Sequence, residues 1–425
     1  MSADLAEPDL AEPMAAPRDP LSGRSLFITG LGIGQICSWG SLYYSFPLLA
    51  QAMEHELGWS KPELYGAASL GLALGGIAAF PVGAAIDRGH GRLVMAAGAG
   101  LAGIALLAWS QVDGLRLFYV LVAAIGVLQA ATLYEPAFAV VARRAGTAGA
   151  RAGIIALTLW GGFASTVFVP LIQALLDHVG WRGTLVALGA VNLLLCAPLY
   201  AAVIRPSADQ PTSPVHAAPL AETATLRQVM GSMVRRPTFW ALAVAFTAFA
   251  ATFSAFTFHL YPLLLERGID TASVVIAMAI IGPAQVAGRI AISVWAPQAP
   301  VRVIGSVVVV AFPLSLLALA WMPPSFALVA GVAVLYGGAN GIMTIVRGLA
   351  VPEMLTRQAY GAVNGALAAP AMIARAVAPA GAALLWAQSQ SYGSALLVMA
   401  GGGAVLAVAF WVAALLSRRD HGTTF

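Results

Sequence analysis

The sequence predicts an all-α membrane protein of about twelve transmembrane helices, arranged as two pseudo-symmetric six-helix bundles with both termini in the cytoplasm. Three observations carry this reading. Of the 425 residues, 60% are hydrophobic and only 9% are charged, whereas a soluble globular domain carries about 25% charged residues. The apolar residues fall in runs long enough to cross about 30 Å of hydrocarbon as helices. One long polar interval divides those runs six to six. A water-soluble protein so poor in charge would lack a solvated surface, so its solvent is largely lipid.

Residues 1–24 form a tail with a tandem repeat, Asp4-Leu-Ala-Glu-Pro8 followed by Asp9-Leu-Ala-Glu-Pro13. It is acidic and rich in proline and alanine, and it lacks the basic start and cleavage site of a signal peptide. It reads as a disordered segment outside the fold. The first bundle, residues 25–204, contains apolar runs at 26–50, 63–86, 93–111, 115–142, 152–176 and 183–204. The interval 205–237, with Arg205, Pro206, Asp209, Pro211, Pro214, Arg227, Arg235 and Arg236, reads as a cytoplasmic linker. The second bundle, residues 238–417, has runs at 238–265, 271–296, 301–321, 326–350, 358–386 and 391–416, and 418–425 is a C-terminal tail. Strands of a transmembrane barrel would be near ten residues and would alternate in polarity, and these runs do neither.

The two halves echo each other in order. Tyr44-Ser-Phe-Pro47 late in run 1 answers His259-Leu-Tyr-Pro262 late in run 7. Glu135 in run 4 answers Arg347 in run 10, and Val169-Pro170 in run 5 answers Ala378-Pro379 in run 11. Together they favour an internal duplication. Glycine pairs such as Gly75-Gly76, Gly161-Gly162 and Gly337-Gly338 let helix backbones approach closely where lipid gives no hydrophobic drive to pack.

Basic residues orient the chain. With the N-terminus inside, the cytoplasmic set is Arg18, Arg24, Arg88, Arg92, Arg143, Arg144, Arg151, Arg205, Arg227, Arg235, Arg236, Arg302, Arg357, Arg418 and Arg419. The outside set is Lys61, Arg116, Arg182 and Arg267, so the asymmetry is fifteen to four. The net charge of +4 is therefore loop arginine, and no basic stripe interleaved with aromatics suggests nucleic acid. Cys37 and Cys196 stand in no metal-ligand spacing and read as buried thiols, with a soft-metal or thiol role as the alternative. No phosphate-cradling Gly-Lys-Ser/Thr turn, HExxH motif or aspartate pair appears, so the chain is expected to be no enzyme and to need no cofactor or metal.

The turn between runs 2 and 3, Gly83-Ala-Ala-Ile-Asp87-Arg88-Gly89-His90-Gly91-Arg92, resembles the signature of the major facilitator superfamily of secondary transporters. The family pattern has a glycine, three residues, Asp-Arg and further basic residues; here His90 replaces a glycine and Gly91 a basic residue. The resemblance covers roughly residues 26–416 and implies alternating access, with Asp87, Arg88 and Arg92 tying helix ends and setting the inward–outward balance. Gly58-Trp59-Ser60, Tyr134-Glu135-Pro136-Ala137, Gly180-Trp181-Arg182 and Gly282-Pro-Ala-Gln285-Val-Ala-Gly-Arg289 are similar to segments of the monocarboxylate and oxalate–formate carriers. In that group an arginine of span 8 holds the substrate carboxylate, with an acidic residue four positions earlier. Arg289 matches the arginine, and Gln285 stands at the acidic position.

Charges inside spans are costly and face a cavity or a partner. Here they are Glu135, Arg289, Arg347 and Arg375, and three guanidiniums to one carboxylate favour an anionic substrate. Arg375 has no charged residue at i±3 or i±4; a substrate carboxylate would satisfy it bidentately, and the alternatives are backbone carbonyls or snorkelling. Arg289 is a substrate or gate contact, or a structural anchor. Glu135 and Arg347 either pair across the bundles when the cytoplasmic side closes, or Glu135 takes up a proton, or each packs within its own half. Tyr43, Tyr44, His259 and Tyr261 are positioned to close the outer side. Gln35, Trp39, Trp160, Asn340 and Asn364 lie at cavity depth, with Tyr43 also a substrate contact. The remaining tryptophans, Trp59, Trp109, Trp181, Trp240, Trp295, Trp321, Trp386 and Trp411, read as interface anchors.

The function that follows is secondary active transport of a small organic anion such as a monocarboxylate, by symport or antiport with a coupling proton or counter-substrate. The alternatives are an exporter of a neutral, cationic or metalloid toxicant, and a transporter-like receptor that does not translocate. Arginine outnumbers lysine, which occurs once, and alanine and glycine abound, a composition of GC-rich bacterial genes. The expected location is the bacterial inner membrane, in which the chain is multi-pass.

Overall fold

The computed structural model describes residues 20–209, 231–356 and 360–422. The tandem repeat of the tail, Arg18, Arg227, Arg357 and most of the 205–237 linker lie outside the described residues. Those described are almost entirely helical, with no strand among them. In chain order the helices are α1 (Pro20–Trp39), α2 (Phe46–Leu57), α3 (Lys61–Ala85), α4 (Gly91–Trp109), α5 (Leu115–Thr132), α6 (Tyr134–Gly162), α7 (Ala164–Ala190) and α8 (Ala197–Val203). They continue with α9 (Pro237–Glu266), α10 (Thr271–Trp295), α11 (Val301–Val308), α12 (Ala311–Trp321), α13 (Phe326–Ala350), α14 (Tyr360–Ser389) and α15 (Tyr392–Gly422). Among the described residues, nine helical stretches are long and apolar enough to cross a membrane. The protein is a multi-pass membrane protein.

Two of those stretches, Lys61–Trp109 and Ala152–Val203, run to 49 and 52 residues, more than twice the roughly 20 that one crossing needs. Each turns back at a glycine with positive φ: Gly89 (φ 94°) and Gly180 (φ 66°), a conformation that costs a residue with a Cβ more than it costs glycine. The expected run 115–142 is also interrupted, at Leu133, which leaves the helical region (φ −84°, ψ −153°). Pro136 explains it: the residue lacks the N–H that would bond Thr132, and its ring crowds that carbonyl. Run 301–321 is loosened at Val309-Val310, which keep helical dihedrals but lack the bond that Pro313 cannot donate to the Val309 carbonyl.

Helix starts follow the sequence. Ser60-Lys-Pro-Glu63 closes a reciprocal capping box, with the Ser60 amide donating to Glu63 Oε2 at 2.8 Å. Asp270 caps α10 by accepting from the Ser273 amide at 3.0 Å, and these bonds hold its exposed carboxyl below the usual carboxylate range. Small residues set the crossings. Gly71 of α3 and Gly126 of α5 touch backbone to backbone, and Gly341 of α13 lies on the Gln285 carbonyl of α10.

The first and second halves of the chain meet along two seams. In one, α3 runs beside α14, where Ser69 Oγ accepts from the Ala380 amide at 3.0 Å. In the other, α7 runs beside α10, where Thr166 Oγ1 donates to the Ala279 carbonyl at 2.8 Å. Trp240, Trp295, Trp321 and Trp411 are exposed as interface anchors should be. Trp109 and Trp181 are each only 2% exposed, which corrects the expectation for them: they pack inside the protein, Trp109 at the end of α4 and Trp181 just past the Gly180 turn of α7.

Candidate functional site

At mid-depth the α1–α2 segment contains a π-helical turn, Gly40–Tyr44. Such wide turns recur at functional sites, and here it brings two adjacent tyrosines around one tryptophan. The Trp39 ring lies 5.2 Å from Tyr43, 6.2 Å from Tyr44 and 4.9 Å from Tyr134 of α6. From the other half, Arg375 of α14 stands over Tyr43, its guanidinium carbon 5.6 Å from the ring centroid. Arg375 Nε, Trp39 Nε1, Tyr43 Oη and Tyr336 Oη are all buried and make no well-formed hydrogen bond, the Arg375 guanidinium and the Tyr43 hydroxyl facing each other within interaction range. Each can donate, and a buried donor left unmade costs about 1–3 kcal/mol. Four of them in one region make a site short of acceptors.

Beside it, Tyr44, Ser165, Phe256, Gln285, Tyr336 and Asn340 line a cavity of about 30 Å³, room for water and too little for an organic anion. Arg289 is 8% exposed and already engaged. Its Nη1 donates to the Thr158 carbonyl of α6 at 2.8 Å and its Nε to the Gly341 carbonyl of α13 at 3.4 Å. It thus ties the two halves together through backbone oxygens. Trp160 packs on Gly32 of α1 and is not brought to Arg375.

One end of the protein is tightly closed between the halves. The His259 ring stacks on Tyr65 of α3 at 3.9 Å. Its Nε2 lies 2.8 Å from the Pro379 carbonyl and its Nδ1 2.9 Å from the Tyr392 hydroxyl. A carbonyl can only accept, so Nε2 carries the proton and Nδ1 accepts from Tyr392. Tyr261 Oη donates to Gln173 Oε1 across the halves at 2.6 Å. Lys61 pairs with Glu54 at 2.7 Å and lies 4.4 Å over the ring of Trp386, whose Nε1 donates to Glu266 at 2.5 Å. Phe258 fills the space between Tyr43 and Phe46 at 5.1 and 5.6 Å.

The opposite, arginine-rich end is different. Glu135 and Arg347 are both exposed, each within reach of the other's charge, and they form no ion pair. Glu135 is in the first turn of α6, just past the break at Leu133, where the helix dipole favours a carboxylate. Arg347 and Asn364 line a cavity of about 170 Å³ in the second half. At the Gly89 turn, the tie between helix ends is made chiefly by Arg143, which donates to the Asp87 carbonyl at 2.6 Å and pairs with Asp209 at 3.3 Å. Among the described residues Arg88 bonds only the Ala84 carbonyl (3.2 Å), one turn earlier, and Arg92 is exposed.

Of the residues expected from sequence, the fold therefore gathers Trp39, Tyr43, Tyr44 and Arg375 at the centre, and His259 and Tyr261 at the closed end. Glu135, Arg347 and Asn364 lie toward the arginine-rich one. Tyr134, Tyr336, Lys61 and Arg143 join these sites without being among the expected site residues. Lys61 carries a signal, being the sole lysine, and Tyr134 stands beside Glu135 in the same motif; Tyr336 carries none.

The arrangement has counterparts. Monocarboxylate transporter 11 from Homo sapiens is 30% identical over 278 residues, 64% of this chain and 55% of that protein. Monocarboxylate transporter 13 from Bos taurus is 26% identical over 334 residues, 78% of this chain and 74% of that protein. The chain thus spans about half the length of the first and three quarters of the second. Among solved structures, a mutant of the nucleoside transporter NupG superposes with a TM-score of 0.74 at 15% identity, covering 92% of this chain and 99% of that one. A bacterial homolog to the human lysosomal transporter Spinster, inward-facing and unoccupied, superposes with a TM-score of 0.68 at 13% identity, covering 96% and 99%. At such identities these two speak for the fold alone. The sequence profile of the Major Facilitator Superfamily matches residues 31–343, well over half of the 425, and the polar groups gathered between helices of both halves of the chain accord with it: the chain belongs to the major facilitator superfamily of membrane transporters.

Proposed function

We propose that the protein is a secondary active transporter that moves a small organic anion, a monocarboxylate, across a bacterial inner membrane by alternating access. The chain crosses the bilayer twelve times in two six-helix bundles, residues 25–204 and 238–417, joined by a cytoplasmic linker at 205–237, with both termini inside. The nine apolar stretches support this count once the two overlong ones are divided at Gly89 and Gly180 and the α1–α2 segment is added. The arginine-rich end is then cytoplasmic, and the conformation is inward-open, with the His259–Tyr65 and Lys61–Trp386 contacts sealing the outer side.

The observation that carries the substrate class is the set of buried donors without acceptors at the centre: Arg375 Nε, Trp39 Nε1, Tyr43 Oη and Tyr336 Oη. A carboxylate supplies the missing acceptors, taking the Arg375 fork with one edge. The names of the monocarboxylate relatives point the same way. Arg289 clasps the bundles through Thr158 and Gly341, and Asn340 borders the site. The test is uptake by purified protein in liposomes, with formate, acetate, pyruvate and benzoate set against neutral nucleosides and organic cations. Saturable uptake of at least one carboxylate is expected. Uptake of none, with cations or neutral solutes moved instead, would reject the anion carrier in favour of an exporter of other solutes.

Closing the cytoplasmic side brings Glu135 to Arg347. Alanine at either position leaves that side open, raising the labelling rate of a cysteine in the cytoplasmic cleft. The double exchange Glu135→Arg with Arg347→Glu returns the rate toward wild type. Unchanged labelling in both single variants would eliminate this gate.

A further inference from the structure

The larger of the cavities described above lies away from Arg375, between α9, α13 and α14 toward the arginine-rich end. Phe246, Arg347, Gly348, Asn364, Leu367 and Ala368 enclose about 170 Å³. An apolar cavity of about 150 Å³ holds a benzene molecule, so a carboxylate of two to four carbons fits. Arg347 makes no hydrogen bond or ion pair among the described residues. Its guanidinium carbon lies 6.0 and 5.8 Å from the ring centroids of Phe246 and Phe249. Contact with a ring face uses the charge of a guanidinium and consumes none of its N–H donors. Asn364 is half-buried with an amide that also makes no hydrogen bond among the described residues. The cavity therefore offers a cation, a neutral donor pair and apolar walls, and it opens at the exposed Arg347 and Gly348.

We infer that Arg347 and Asn364 form a second anion site, a vestibular station that takes a small carboxylate between the arginine-rich face and the central site at Arg375. The inference rests on the transport reading above. Arg347 and Arg375 lie within reach of each other's charge, so an anion at either one relieves their mutual repulsion, and the pair draws anions inward from the open end. Glu135 is the carboxylate within reach of both guanidiniums. In the open state Arg347 is free for the anion; on closure Glu135 takes its place and expels the anion from the station. One guanidinium thus has two successive partners, which explains why the pair is apart here although opposite in charge.

The test reads Arg347 directly. Full-length protein in detergent is treated with phenylglyoxal, which modifies accessible arginines, and the rate at Arg347 is followed by peptide mass spectrometry with and without pyruvate. Pyruvate should slow modification of Arg347 in wild type and equally in Arg375→Ala, in which the central site is gone. Asn364→Leu should weaken that protection about tenfold in pyruvate concentration, the loss of one or two bonds to a charged ligand. Protection that disappears in Arg375→Ala, or that is unaffected by Asn364→Leu, means that only the central site binds, and overturns the station. Failure of phenylglyoxal to reach Arg347 also overturns it, since the cavity would then be closed to a solute of that size. Uptake of pyruvate without such protection keeps the transporter and removes the station; protection without uptake of any carboxylate does the reverse.

Discussion

Arg375→Ala will cut saturable carboxylate uptake at least about thirtyfold and leave a folded protein of near wild-type stability. The two halves of that result have one cause. In the free protein the guanidinium lies over Tyr43 with Nε buried and without a well-formed hydrogen bond, so the desolvation of that group offsets much of what the Tyr43 contact contributes. Replacing buried ionic groups with apolar side chains of similar volume is often neutral or stabilising, whereas alanine also gives up the packing of the arginine stem, so the net change in stability is expected to be small. In the complex proposed above it supplies the charge-assisted bonds to the carboxylate, and losing a buried charged partner costs about 2–5 kcal/mol, or roughly thirtyfold to several thousandfold in kcat/KM. Arg375→Lys keeps the charge and loses the planar fork, so it should retain part of the uptake with a raised KM. The measurement pairs uptake in liposomes with thermal unfolding in detergent. A variant that transports normally would show that Arg375 faces no substrate. One that unfolds markedly earlier would show that the guanidinium has structural partners, as Arg289 does.

Gly126→Leu will prevent stable folding, and Gly126→Ala will already lower the unfolding temperature. A Cβ at Gly126 overlaps the carbonyl and Cα of Gly71 across the α3–α5 crossing, and backbone cannot step aside as a flexible side chain can. Overpacking a well-filled interior costs about 1–3 kcal/mol even where neighbours are side chains, and here the whole crossing must separate. The comparison is Gly83→Ala, where an added methyl meets nothing within 4 Å. That change should be neutral or should stabilise the helix by about 0.5–1 kcal/mol. Equal unfolding temperatures for Gly126→Ala and Gly83→Ala would mean that close approach at this crossing contributes nothing.

The chain's helical, membrane-spanning character is legible in sequence because it depends on sums: hydropathy over some twenty residues, and the scarcity of charge. Run ends agree with the helices to within a few residues at 238–265 against Pro237–Glu266 and 326–350 against Phe326–Ala350. The interruption at Leu133 and the loosening at Val309 are not expected from the runs, although Pro136 and Pro313 are there to be read, because proline acts through a missing bond that hydropathy does not register. Trp109 and Trp181 mislead for a related reason. Their depth along a helix is readable from sequence, and only the packing of α4 and α7 decides that their rings face inward.

By itself the sequence determined the solvent, the lengths of the crossing segments, and an excess of guanidinium over carboxylate within them. These are properties of composition and local order. The tertiary structure alone decided which of those charges are spoken for. Arg289 and Arg375 look alike in sequence, yet one meets the Thr158 carbonyl 131 residues away, while the other has a buried Nε with no acceptor. A hydrogen bond requires a partner within about 3 Å, and which distant backbone oxygen arrives there is set by the helix crossings, themselves fixed where glycines such as Gly71 and Gly126 let two backbones touch.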